Sequence, residues 1–243
     1  MLQSTFGIIK VIKHFGVPGH LASGLPKQER SGYIIERMLN TYRPCLPTMV
    51  MKAPTGERWV HEIKHDGFRI ITRRVGKDVR LFTKQGADYS KRYPLVVEAI
   101  NRLRVSSIVL DGEAVWIGPN GLPDFDALWN RTDGARVSLF AFDLLEINGE
   151  DYRAKPLLER KQRLSKLLSK KTGIRFVEHL DGDGPTIFEH ACKLGLEGIV
   201  SKRVDLPYES GPSKHWQKVK NKTHPAVQRV REAFERERMG KRN

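Results

Sequence analysis

Six stretches of this chain run or alternate apolar over strand length and end on turn residues, which excludes an all-helical fold. They are WVHEIKHDGFRIITRR (59–74), DVRLFTK (78–84), SSIVLDGEAVWIG (106–118), VSLFAFDLLEING (137–149), RFVEHL (175–180) and EGIVSKR (197–203). Helical spacing lies between them. Val96, Ala99, Ile100 and Leu103 share one face of 94–103; Leu157, Leu164, Leu167 and Leu168 share one of 157–168; Ile187, Ala191 and Leu194 share one of 186–194. Antiparallel strands mixed with helices imply an α+β domain from about 44 to 222, with helices flanking mixed or antiparallel sheets. Residues 1–43 are weakly patterned and rich in Gly and Pro, and read as a mobile leader with one short helix near Tyr33–Leu39. Residues 223–243 read as a basic helix or tail, with Ala226, Val230 and Phe234 on one side. No repeat and no low-complexity segment is present.

Charge bounds the partners. Lys plus Arg is 43 and Asp plus Glu is 28 among 243 residues, a net charge of +15. Such an excess points to polyphosphates, nucleic acid or an anionic surface. From Lys214 to Asn243, ten Lys or Arg face three Glu, which suits phosphate contact or a solvated tail. The two cysteines, Cys45 and Cys192, are far apart, so no disulfide framework is expected and a reducing cytosol fits. His190, Cys192 and Asp181 match no structural zinc spacing. The early apolar run FGIIKVI (6–12) is interrupted by Lys10 and too short to span a bilayer, so no membrane association is expected.

The chemistry concentrates in 60–70, VHEIKHDGFRI. On a strand, residues two apart share a face, so Glu62, Lys64 and Asp66 are expected on one side and Ile63 on the other, with Gly67 allowing a bend. Alone, that triplet suits a surface ion-paired strand. Further stretches repeat the pattern: Asp111, Gly112 and Glu113 after an apolar run, Phe142 and Asp143 in FAFDLL, Glu197 and Lys202 in EGIVSKR, and Trp216, Lys218 and Lys220 along one strand face. Strand-borne lysines, acids and an aromatic describe a site for a magnesium-bound nucleotide: cations for phosphate, carboxylates for metal, a ring for the base.

The ordered series KxDGxR, DGE, FDLL, EGIVSK and WxKxK resembles the covalent nucleotidyltransferases. It looks most like the ATP-dependent DNA ligases, in particular the ligase module of bacterial end-joining enzymes. The resemblance covers about 44–222 and implies an ATP-grasp-like adenylation domain. It implies Lys64 as the residue that attacks the α-phosphorus of ATP and carries AMP. A free lysine is almost wholly protonated near neutral pH, so such a nucleophile needs neighbours that favour the neutral amine, here Lys218, Lys220, Arg69 and Mg²⁺ (or Mn²⁺). On the same resemblance Asp66, Lys218 and Lys220 serve catalysis. Glu62 contacts adenine, Arg69 contacts ribose or phosphate, Glu113 contacts ribose, and Phe142 stacks on adenine. Lys84, Lys202 and Lys214 are further nucleotide contacts, and Glu197 with Glu113 holds the metal. AMP would then pass to a DNA 5′-phosphate, and a 3′-hydroxyl would displace it. Nicked or broken double-stranded DNA is the implied partner, in the bacterial cytoplasm at the nucleoid.

Three departures qualify the resemblance. Lys84 and Gln85 stand where the family has Arg and Asn, and lysine lacks arginine's planar fork. Pro212 stands where an arginine is common. About 21 residues follow Lys222, too few for the oligonucleotide-binding barrel usual in the family, so a partner that supplies a barrel or an end-joining function is expected. Two other readings fit the residues: an RNA ligase or capping-type enzyme, and a nucleic-acid-binding remnant without turnover.

Overall fold

The computed structural model describes residues 42–119, 121, 123–130, 133–168 and 172–229. The leader with its expected helix at Tyr33–Leu39, and the tail beyond 229, lie outside the described residues.

Two sheets organise the chain. The first has four strands: β1 (Cys45–Met49), β2 (Trp59–Ile63), β9 (Gly198–Arg203) and β10 (Gly211–Lys220), in the order β1-β10-β9-β2. β1 runs parallel to β10, and the other pairs are antiparallel. The second has six: β3 (Phe68–Val75), β4 (Asp78–Thr83), β5 (Ser107–Trp116), β6 (Val137–Ile147), β7 (Glu150–Asp151) and β8 (Ile174–Phe176). Its path is β4-β3-β5-β6-β7, with β8 alongside β6 in parallel. Helices α1 (Pro94–Asn101), α2 (Phe125–Trp129), α3 (Leu157–Leu168) and α4 (Gly184–Lys193) complete the α+β fold. Among the described residues there is no oligonucleotide-binding barrel, and no helix is long and apolar enough to cross a membrane.

The apolar periods found their partners. Val96, Ala99 and Ile100 of α1 and Leu164 and Leu168 of α3 join Ile70, Leu81, Leu110, Leu139 and Leu144 in one core on the larger sheet. Ala191 of α4 packs with Ala53, Ile199 and Val219 on the smaller sheet.

The stretch 59–74 is not one strand. β2 ends at Ile63 in the smaller sheet and β3 starts at Phe68 in the larger. Residues 64–67 are the crossover, so Glu62, Lys64 and Asp66 do not share a strand face. The amide of Lys64 still donates to the Gly198 carbonyl at 3.0 Å, and the chain then leaves the sheet. Gly67 passes so near β5 that an added Cβ would lie 2.2 Å from the Ala114 carbonyl oxygen. The stretch 175–180 is also cut back, since the strand there is only Ile174–Phe176. Strand β1 and helix α2 have no counterpart in the sequence reading.

Candidate active site

A cavity of about 290 Å³ is lined by residues of both sheets. Leu46, Pro47, Glu62, Ile63, Val200, Lys202, Trp216 and Lys218 come from the four-stranded sheet, and Arg69, Glu113 and Phe142 from the six-stranded one. Lys64 and His65 reach it from the crossover, and Lys84 from the end of β4. Its volume is close to the lower end of the range usual for small-molecule sites.

Lys64 enters as an ion pair. Its Nζ is 2.6 Å from Glu197 Oε2, and Lys220 Nζ is 3.0 Å from the other oxygen. Lys218 shares this cationic corner, and its amine is lowered by burial and then by Lys64, Lys220 and Lys84. Glu113 faces the same cavity, and burial raises its carboxyl to about 7 against the attraction of Lys64 and Arg69. His65 packs on Phe140 with ring centroids 4.4 Å apart, and burial lowers it to about 4, so the imidazole is neutral near pH 7.

A second group of charges is fully buried. Glu62 receives Lys161 Nζ on Oε1 at 2.5 Å, and Lys202 Nζ lies 2.6 Å from Oε2. Burial opposes ionisation of Glu62, yet the two lysines hold its carboxyl below the usual range. The Lys202 contact is an ion pair without good hydrogen-bond alignment, and its nitrogen has no hydrogen-bond partner among the described residues. Burial lowers Lys202 to about 8 against the pull of Glu62. The same ammonium sits 4.4 Å from the Phe142 ring centre and 3.9 Å from that of Trp216, a cation–π arrangement. Arg69 lies 4.4 Å from the Phe142 ring centre and is held by both oxygens of Asp111, at 2.5 and 2.7 Å.

Eight expected site residues thus line one cavity: Glu62, Lys64, Arg69, Lys84, Glu113, Phe142, Lys202 and Lys218. Glu197 and Lys220 adjoin it through Lys64. Lys214 is exposed and not part of the lining. Asp66 is turned toward Arg229, which also lies 4.3 Å over the Phe125 ring. Its carboxyl is raised by burial and by Glu197 despite that arginine. No group of three or more His, Cys, Asp or Glu able to hold a metal occurs among the described residues. A magnesium ion that arrives with a nucleotide needs only one or two carboxylates, the phosphates completing its shell. Glu113, facing the cavity, and Glu197, behind Lys64, fit that requirement.

The sequence reading did not single out Lys161, Arg160 or Tyr208. All three are polar side chains that partner buried acids, and their signals were unremarkable: two cations inside an amphipathic helix and one tyrosine in a loop.

A lysine-bearing crossover between two sheets, facing cations, carboxylates and an aromatic ring, has the charges and the ring that suit a nucleotide with its phosphates. The model of the ATP dependent DNA ligase domain matches residues 37–220, and the chain belongs to that family. It is 38% identical over 182 residues to the multifunctional non-homologous end joining protein LigD of Pseudomonas aeruginosa, over 73% of this chain and 22% of that one. It is 30% identical to the SPbeta prophage-derived DNA ligase-like protein LigB of Bacillus subtilis, over 76% of this chain and 69% of that one. Among solved structures it is similar to mycobacterial DNA ligase D complexed with ATP and MES, at 32% identity and TM-score 0.65, over 73% of this chain and 60% of that one. The chain therefore spans about a fifth of the Pseudomonas protein's length.

Proposed function

We propose that this domain joins breaks in double-stranded DNA at the expense of ATP, through AMP held covalently on Lys64. The observation that carries this is Lys64 in the wall of a cavity shared with Lys84, Lys218, Glu113 and the Glu62–Lys202 pair. The fold and family support it, as do the relatives named for end joining.

Lys64 Nζ would attack the α-phosphorus, the bond to the bridging oxygen would break, and pyrophosphate would leave. Before attack the Lys64–Glu197 pair must open and the amine must lose a proton. Lys218 and Lys220, with Lys84, would hold the charged oxygens. Glu113 and Glu197, with the nucleotide phosphates, would hold Mg²⁺, which would supply charge neutralisation at the phosphoryl groups. Glu62 and Lys202 set an acceptor beside a donor, which suits the amino group and N1 of adenine; guanine in the same pose presents the reverse order. Phe142 and Trp216 give this end an aromatic wall. AMP would then pass to a DNA 5′-phosphate and be displaced by a 3′-hydroxyl, with the DNA gripped through its phosphates. A partner protein with a barrel or end-joining role would complete the grip.

The test is incubation with α-labelled ATP and Mg²⁺. Wild type should keep label after denaturation, with ATP preferred over GTP. Lys64→Ala and Lys64→Arg should keep none, because a guanidinium stays protonated. Wild-type labelling of Lys64→Ala sinks the assignment.

A further inference from the structure

Lys161 lies outside the cavity and outside every motif that carries the resemblance, yet it is one of the most buried charges described, at 1% exposure on α3. Its Nζ donates to Glu62 Oε1 at 2.5 Å and to the Val177 carbonyl at 2.8 Å, and lies 4.7 Å over the Phe176 ring. Packing alone does not ask for a lysine here, since burying an ammonium costs several kcal/mol per ion unless it is well paired. Of the other buried positions of this helix, Leu157, Leu164 and Leu168 take leucine, and Arg160 is a second cation with its own buried acid, Asp143.

The division of partners explains the charge. Glu62 is 3% exposed and has one lysine on each oxygen. Lys202 lines the cavity and is poorly aligned with Glu62, so a ligand can draw on its N–H groups. A buried carboxylate whose only counter-charge turned to a ligand would be left exposed to desolvation and free to rotate. Lys161 does not face the cavity, and its second bond to Val177 anchors it to the backbone just past β8. One oxygen of Glu62 therefore stays fixed whatever occupies the cavity.

We infer that Lys161 is a positioning residue for base selection, holding Glu62 as a fixed acceptor for the amino group of adenine. The inference rests on the proposed reading of Glu62 as a base contact. The test compares rates of lysyl-nucleotide formation at limiting ATP and at limiting purine riboside triphosphate, which lacks the 6-amino group. Wild type should prefer ATP by roughly tenfold or more, the worth of one hydrogen bond to a charged acceptor. Glu62→Gln should erase most of that preference. Lys161→Met should lower it at least threefold, Lys161→Arg should restore part of it, and Lys161→Met should lower it no further on top of Glu62→Gln. If Glu62→Gln keeps the wild-type ratio, the base-contact reading falls and the inference falls with it. If Glu62→Gln loses the ratio while Lys161→Met keeps it, Glu62 reads the base and Lys161 is structural only. Should Lys161→Met be too unstable to assay, Lys161→Gln decides by the same ratio: a threefold or greater drop supports the inference, and a wild-type value overturns it.

Discussion

Asp111 and Asp143 sit opposite each other in the β5–β6 pairing, both fully buried. Two like charges across strands repel, and each is neutralised by an arginine. Arg69 grips Asp111, with Tyr208 donating to the same carboxylate at 2.5 Å, and Arg160 grips Asp143 through two bonds at 2.7 and 2.9 Å. Arg160→Ala leaves Asp143 buried and uncompensated, so it should lower stability by about 3–5 kcal/mol, read by denaturant unfolding. Glu113 gives a pH-dependent counterpart. Its carboxyl moves from an ordinary 4.5 to about 7 in the fold, chiefly through burial. Below the lower value the group is protonated in both states and costs nothing. Between the two, the folded chain binds a proton that the unfolded chain releases, so stability falls as pH rises, and above the upper value the whole cost is present. Without Mg²⁺ or nucleotide, Glu113→Gln should match wild type at about pH 4 and exceed it at about pH 8, by up to about 3 kcal/mol. Melting curves across that range check this, and an equal offset at every pH would refute it.

Among the elements, the crossover 64–67 and the start of β9 form one unit. Glu197 holds Lys64, and the Gly198 carbonyl accepts from the Lys64 amide. Gly198 has φ +144, and a Cβ there would lie 2.0 Å from the Val219 carbonyl oxygen on the neighbouring strand β10. Gly198→Ala should therefore pry β9 from β10 and move Glu197 away from Lys64. The expected outcome is a loss of at least about 2 kcal/mol together with loss of AMP labelling; a variant with wild-type melting and labelling would show the junction to be plastic. The long strands β5 and β6 were legible because they are apolar over most of their length and end on turn residues. The break in 59–74 was not, although Gly67 allows a bend, because the charges at 62, 64 and 66 keep the two-residue spacing of a strand through it. Only the pairing of β2 with one sheet and β3 with the other ends the strand there. Helix α2 was hidden for a similar reason: five residues are too few for a period, and what marks it is Asp124 capping the Ala127 amide.

For the molecule as a whole, the net charge of +15 predicts DNA binding that weakens steeply with salt, by roughly 0.9 log units of affinity per phosphate contact per log unit of salt. The structure divides the basic C-terminal stretch. Arg229 is tied to Asp66 and Phe125, so the cut that tests tail binding belongs after it. Deleting 230–243 should flatten the salt slope on nicked DNA and leave AMP labelling of Lys64 intact. Equal affinity across a salt series would place the DNA contacts on the sheets and helices themselves.

The strand-and-helix composition, the order of the charged motifs and the excess of cations could all be read from the chain before folding, since they reside in local period and in counts. The sequence also brought out Lys64 by its setting among ordered motifs. Which charge neutralises which came from long-range packing alone. That Glu62 belongs to Lys161 and Lys202, Lys64 to Glu197, Asp66 to Arg229 and Asp143 to Arg160 depends on contacts across 17 to 163 positions of chain. No local pattern encodes such pairs, because a buried charge is satisfied by whatever cation the packed sheets bring within reach.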